Sequence, residues 1–110
     1  MEVVMQEYGD IVSFKPNVSR LDASQAVEFK DNLLQQVTVG KIRLLLNLSE
    51  VTFIDSSGLG AIISALRRVG VKGDVKLCCV ADQVMEMLRL TRLDKVLEVF
   101  DSEETGIANF

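Results

Sequence analysis

The sequence predicts a single α/β domain of two or three layers. Three observations carry that expectation. Short apolar runs alternate with segments of helical periodicity. The chain has 110 residues, enough for one core without staples and too few for two. No repeat, low-complexity stretch or linker divides it.

The elements follow in order. Val3-Tyr8 and Ile11-Lys15, separated by a turn at Gly9, read as an N-terminal hairpin, which Pro16 and Asn17 end. Arg20-Ser24 is a connector into a helix, with Asp22 or Ser24 as its cap. Ala23, Ala26, Val27, Phe29, Leu33, Leu34 and Val37 merge into a wide apolar stripe, as suits a helix on a sheet. Ile42-Leu48 is nearly continuous in apolar residues, the pattern of a central strand covered on both faces. Ser49-Glu50 interrupts that run, and Val51-Ile54 continues it.

A second helix starts around Asp55-Gly58 and repeats Leu59, Ile62, Ile63, Leu66 and Val69 along one side, leaving Ser64, Arg67 and Arg68 outward. Gly70 and Gly73 bracket its exit. Val75-Val80 reads as another buried strand, Ala81-Leu90 as a helix with Asp82 near its cap, and Val96-Phe100 as a last strand. Asp101-Phe110 adds a short terminal helix or a polar tail. The order is β-β-α-β-α-β-α-β, and its parallel crossovers are expected to be right-handed.

Composition narrows the function. Sixteen acidic and twelve basic residues leave a net charge of -4, which argues against nucleic acid as a partner. Histidine is absent, removing imidazole acid-base catalysis and the commonest metal ligand, so neither an enzyme nor a metal protein is expected. The acidic start MEVVMQEYGD is no secretory signal, and no apolar run approaches the length that spans a bilayer. Cys78 and Cys79 are adjacent in a strand and point to opposite faces, which suits buried thiols in the cytoplasm rather than a disulfide.

The segment Asp55-Ser56-Ser57-Gly58-Leu59-Gly60 lies where a strand hands over to a helix, at the end of an α/β unit where sites gather. Its residue types serve capping alone. As the lesser reading from residue types, they also suit a phosphate held at the positive end of the helix, against N–H groups that have no partner. Gly58 and Gly60 keep the first turn free for a close approach. No P-loop lysine follows the glycines, so a nucleotide fits less well. Elsewhere, the Arg67-Arg68 pair suits an acidic partner or a solvated helix surface. The cluster Met85, Met87, Leu88, Leu90 and Leu93 suits core packing, with Met87 or Leu90 available to an exposed patch.

On Asp55-Ser56-Ser57-Gly58-Leu59-Gly60 after an apolar strand, the sequence resembles the anti-sigma factor antagonists of the STAS family. Gly9-Val12, the Leu21-Asp22 element, Leu45-Leu48 and Val51-Asp55 fit the same pattern. The resemblance covers roughly residues 8–100 of a single domain spanning 1–110. It implies a mixed sheet with helices mainly on one face. It implies an unphosphorylated protein that binds an anti-sigma factor, itself a serine kinase of the GHKL type. Phosphorylation at Ser56 releases that kinase, and a PP2C-type phosphatase reverses the change. No cofactor, membrane or direct nucleic-acid contact is implied. Asp22 and Asp55 match the acidic positions beside the phosphoacceptor, while Ser57, Gly58, Leu59 and Gly60 shape the partner surface. The chain departs from the family at Ser19, where many members carry glycine. That leaves room for another partner, in a phospho-regulated or constitutive interaction module of a different pathway.

Overall fold

The computed structural model describes residues 1–110. Its strands are β1 (Val3–Tyr8), β2 (Ile11–Pro16), β3 (Arg20–Leu21), β4 (Arg43–Asn47), β5 (Phe53–Ile54), β6 (Asp74–Cys78) and β7 (Val99–Phe100). Its helices are α1 (Ala23–Thr38), α2 (Ser56–Val69), α3 (Asp82–Leu90) and α4 (Glu103–Ala108). The main sheet runs in the order β1-β2-β4-β6-β7. Only β1 and β2 are antiparallel; β2, β4, β6 and β7 pair in parallel, so the sheet is mixed. No helix is long and apolar enough to cross a membrane.

Alternation along the strands divides the buried residues between two faces. Val12, Phe14, Leu44, Leu46, Val75 and Leu77 form one core with Phe29 and Leu33 of α1, Ile62 and Ala65 of α2, and Val84 and Leu88 of α3. The alternate residues Ile11, Leu45 and Cys78 are buried on the other face. There α4 lies close enough that a Cβ on Gly106 would stand 2.8 Å from Leu45 Cδ1. Glu103 fastens this helix by accepting from Tyr8 Oη (2.8 Å) and Asn47 Nδ2 (3.1 Å). The Glu103 carboxylate in turn raises the Tyr8 phenol above its ordinary range. Lys76 on β6 is buried, and desolvation works against its charge. The Glu98 carboxylate at 2.6 Å and Asp74 at 3.4 Å outweigh that and hold its ammonium above the usual lysine range.

Several expectations change. The run after Ser49 does not continue the central strand. Asn47 Oδ1 accepts from Ser49 N at 3.0 Å, the chain turns with Leu48 and Val51 buried, and β5 joins a separate two-stranded sheet with β3. The connector at Arg20 therefore contains a strand. Val27 is 70% exposed, because Ala26, Phe29 and Leu33 suffice to seat α1. Val96 is exposed, and the last strand shrinks to two residues behind a turn of 3-10 helix at Leu93–Lys95. Asp82 does stand beside the cap of α3, as its first residue after the N-cap Ala81. Cys79 falls beyond the strand end in a left-handed conformation (φ 59°), half-buried, while burial pushes the Cys78 thiol far above its ordinary range. Cys78 is therefore a packed thiol rather than a reactive one.

Candidate functional site

The two short strands β3 and β5 build the site. They run parallel, with Arg20 beside Phe53 and Leu21 beside Ile54. Ser19 O fixes their start, accepting from Thr52 N (2.8 Å), Phe53 N (3.2 Å) and Thr52 Oγ1 (3.1 Å). Asp55 N donates to Leu21 O at 3.3 Å and closes the ladder. The serine at position 19 thus acts through its main-chain carbonyl, and the connector is held to β5 at both ends.

Each strand hands over at once to a helix, and each helix opens on an aspartate. Asp22 caps α1 at φ -109°, ψ -171°; Asp55 caps α2 at φ -115°, ψ -172°. Asp55 Oδ1 accepts from Ser57 N (2.9 Å) and Gly58 N (3.2 Å). Asp22 Oδ1 accepts from Ser24 N (3.0 Å) and Ser24 Oγ (2.6 Å), and Arg20 Nε reaches Oδ2 at 3.3 Å. The Ser24 hydroxyl, followed by Arg20, holds the Asp22 carboxyl below the usual carboxylate range. These aspartates satisfy N–H groups that a helix start leaves without partners. The free donors expected to cradle a phosphate at α2 are therefore already engaged at Ser57 and Gly58.

The predicted site residues divide by depth. Ser56 is the first residue of α2 and is exposed; its hydroxyl makes no hydrogen bond within the chain. Ser57 and Asp55 are half-buried, Gly60 is exposed, and Gly58 and Leu59 are buried. A Cβ on Gly58 would stand 2.3 Å from Leu21 O and 2.7 Å from Ile54 Cγ1. Gly58 is thus a close approach inside the domain rather than a gap for another surface. Leu59 is 4% exposed and belongs to the core, while a side chain on Gly60 would meet open space. So Ser56 and Gly60 face outward on the first turns of α2, and Gly58 and Leu59 hold that turn in place.

Two residues of the site escaped the sequence reading as such. Phe53 is 36% exposed, and the Arg20 guanidinium stacks 4.1 Å from its ring centroid. Together they form a cation–π step beside the Asp55 cap. The signal available was an aromatic residue two places before a cap, in a strand too short to have two covered faces. Leu90, expected in the core or on a patch, is 74% exposed, and Met87 packs against the core.

Nothing in this arrangement activates Ser56 as a nucleophile. Asp55 Oδ1 is occupied by two amides, the Ser56 hydroxyl is bonded to no carboxylate, and the chain has no histidine. What the site offers is an uncommitted hydroxyl on a firmly built helix start. A family model of the STAS domain matches residues 2–106.

The chain belongs to the STAS family.

Its relatives fit that assignment. This STAS domain is 33% identical over 95 residues to a candidate anti-sigma factor antagonist of Thermotoga neapolitana, covering 84% of this chain and 83% of the relative. It superposes on the crystal structure of a candidate anti-sigma factor antagonist from Thermotoga maritima with a TM-score of 0.90 at 27% identity, covering 96% and 92% of the two chains. The Bacillus cell fate determinant SpoIIAA in its phosphorylated form shares the fold, with a TM-score of 0.74 at 17% identity over 97% of each chain.

Proposed function

We propose that this STAS domain is an anti-sigma factor antagonist working in the cytoplasm. With Ser56 unmodified it binds an anti-sigma factor that is a serine kinase of the GHKL type, and so frees a sigma factor. The kinase transfers phosphate from ATP to Ser56, which breaks the complex. A PP2C-type phosphatase removes the phosphate and restores binding. One observation carries this reading: the Ser56 hydroxyl is exposed, unbonded and held at a fixed helix start. The relatives described above as anti-sigma factor antagonists support the partner class.

Charge at an interface accounts for the switch. A phosphate adds close to two negative charges at neutral pH. With Asp55 half-buried beside it and Asp22 capping the neighbouring helix, the new charge enters acidic surroundings. A partner surface fitted to a neutral hydroxyl must then desolvate a dianion or lose the contact. The fold is not opened by the phosphate, since negative charge at a helix start is favourable by about 0.3–1 kcal/mol. Ser57 and Gly60 complete the contact surface around Ser56, Asp22 and Asp55 flank it, and Gly58 and Leu59 support it from inside.

The test is direct. The purified chain is titrated calorimetrically against each anti-sigma factor kinase encoded in its own genome. Tight binding to one of them, a single phosphate on Ser56 after ATP is added, and loss of binding on modification are the expected results. Undiminished binding of Ser56→Asp to that kinase sinks the switch. A second reading draws on Arg20, stacked on the exposed Phe53 ring beside the Asp55 cap. A cation and an aromatic ring beside the switch suit a phospho-regulated or constitutive interaction module in another signalling pathway. Binding by no kinase of the panel, with Ser56 phosphorylated in cells, favours this second reading.

A further inference from the structure

Between α1 and α2 runs an open groove of about 400 Å³, lined by Lys30, Leu34, Ser64, Arg67 and Arg68. All three of its charged residues are cations. None of them takes part in an ion pair, although the chain carries net charge -4 and forms ion pairs elsewhere. Helix electrostatics explains part of this, since cations favour the last turn of a helix and Arg67 and Arg68 occupy that of α2. It does not explain Lys30, which comes from the middle of α1 and turns into the same groove. Three like charges facing one hollow repel each other, and an acidic occupant relieves that repulsion.

The groove is continuous with the switch. Ser56, Gly60 and Ser64 follow at intervals of four residues and so lie along one side of α2. Ser64 Oγ folds back onto Gly60 O at 2.9 Å, so no long side chain stands between Ser56 and the cations. At the helical rise, Ser64 lies about 12 Å from Ser56 and the arginines about one turn further. A protein seated on Ser56 reaches the groove without leaving that side of the helix.

The geometry points to a second contact for the partner that Ser56 controls: a carboxylate-rich segment of that protein docks in the Lys30–Arg67–Arg68 groove. This rests on the reading of Ser56 as a partner-binding switch. A protein segment fits better than nucleic acid. Three cations neutralise too few phosphates for a duplex, and the helix starts beyond them carry the aspartates Asp22 and Asp55. The Leu34 side chain in the lining adds an apolar contact that a peptide uses and a phosphate backbone does not. The groove steers encounter and strengthens the complex, while Ser56 decides whether it persists.

The test compares Arg67→Glu/Arg68→Glu with the wild-type chain against the kinase identified by the calorimetric panel. All three groove cations lie on exposed or partly exposed helix positions, and circular dichroism confirms that the variant is folded. The expected result is a loss of affinity of about tenfold or more, with a flatter dependence on salt. Unchanged affinity and unchanged salt dependence, in a complex that Ser56→Asp still abolishes, overturn the groove and leave the switch standing. A second arm needs no kinase. Amide shifts of the wild-type chain are followed on adding a ten-residue peptide of alternating Glu and Gly, its Gln counterpart, or a twelve-base-pair DNA duplex. Shifts at Lys30, Ser64, Arg67 and Arg68 with the Glu peptide alone support the proposal. No shift there, or tighter binding of the duplex, overturns it.

Discussion

The starts of α1 and α2 are near copies in backbone and differ in the hydroxyls they leave without a bond. Paired strands deliver both, the capping aspartates have matching dihedral angles, and a serine follows each aspartate at the second position. At α1 that serine, Ser24, spends its hydroxyl on Asp22, and the intervening residue is Ala23. At α2 the Ser57 hydroxyl makes no hydrogen bond but is half-buried, and the intervening residue is Ser56, equally unbonded and exposed. One start is chemically closed, and the other carries a group that structure does not use. Capping accounts for everything the two share, so function is to be sought in what they do not share.

The sharpest way to break the comparison is to place charge at both starts. Ser56→Asp is expected to weaken kinase binding by about 100-fold or more, because like charge and lost desolvation act at the contact. Ala23→Asp, at the twin position, is expected to leave binding within a few-fold of wild type. Calorimetry on the two variants reads the difference. Equal losses would show that the two starts are not distinguished by the partner.

Next in size is the glycine that seats the active start. Gly58→Ala drives a methyl into Leu21 O and is expected to cost about 2 kcal/mol in urea unfolding. Gly60→Ala meets open space and is expected to stabilise α2 by about 0.5–1 kcal/mol on helix propensity. The same Gly60→Ala protein is expected to bind its kinase less well, since the added methyl rises beside Ser56. Asp55→Ala removes two accepted bonds and is expected to cost about 1 kcal/mol by the same unfolding assay.

The smallest effect is at the closed start. Asp22 has its carboxyl lowered in the folded state, so its stabilisation is present above the ordinary value of 3.8 and is lost as pH falls through the lowered one. Amide exchange at Ser24 is therefore expected to stay slow as pH falls through 3.8 and to quicken only below it. In Asp22→Asn, where no carboxylate titrates, that acid transition is expected to disappear.

The larger elements were legible because their signals are redundant. The strands β2, β4 and β6 are buried along nearly their whole length and are dominated by apolar residues, and α2 combines a cap with a clean repeat. What escaped depends on partners far away in sequence. Strand β3 has two residues, too few for periodicity, and exists because β5 lies beside it. Gly58 read as an opening because sequence does not show the Leu21 carbonyl that fills the space. The stack of Arg20 on Phe53 joins residues 20 and 53, which only the ladder brings together. The terminal helix stayed ambiguous because Gly106, a poor helix former, is there to admit Leu45. At the site, the serines and the aspartate were visible, while the depth that separates Ser56 from Leu59 was not.

The Ser56 hydroxyl stands outside every hydrogen bond that holds the domain together, and that has a consequence for the cell. Degradation follows the population of opened chains, and a group that contributes nothing to closure does not alter it. On the proposed switch, marked molecules should then live as long as unmarked ones or a few-fold longer, since charge at the helix start adds at most about 1 kcal/mol. Under that proposal the message is a ratio within one pool, reset by modification and its reversal without synthesis or destruction of the carrier.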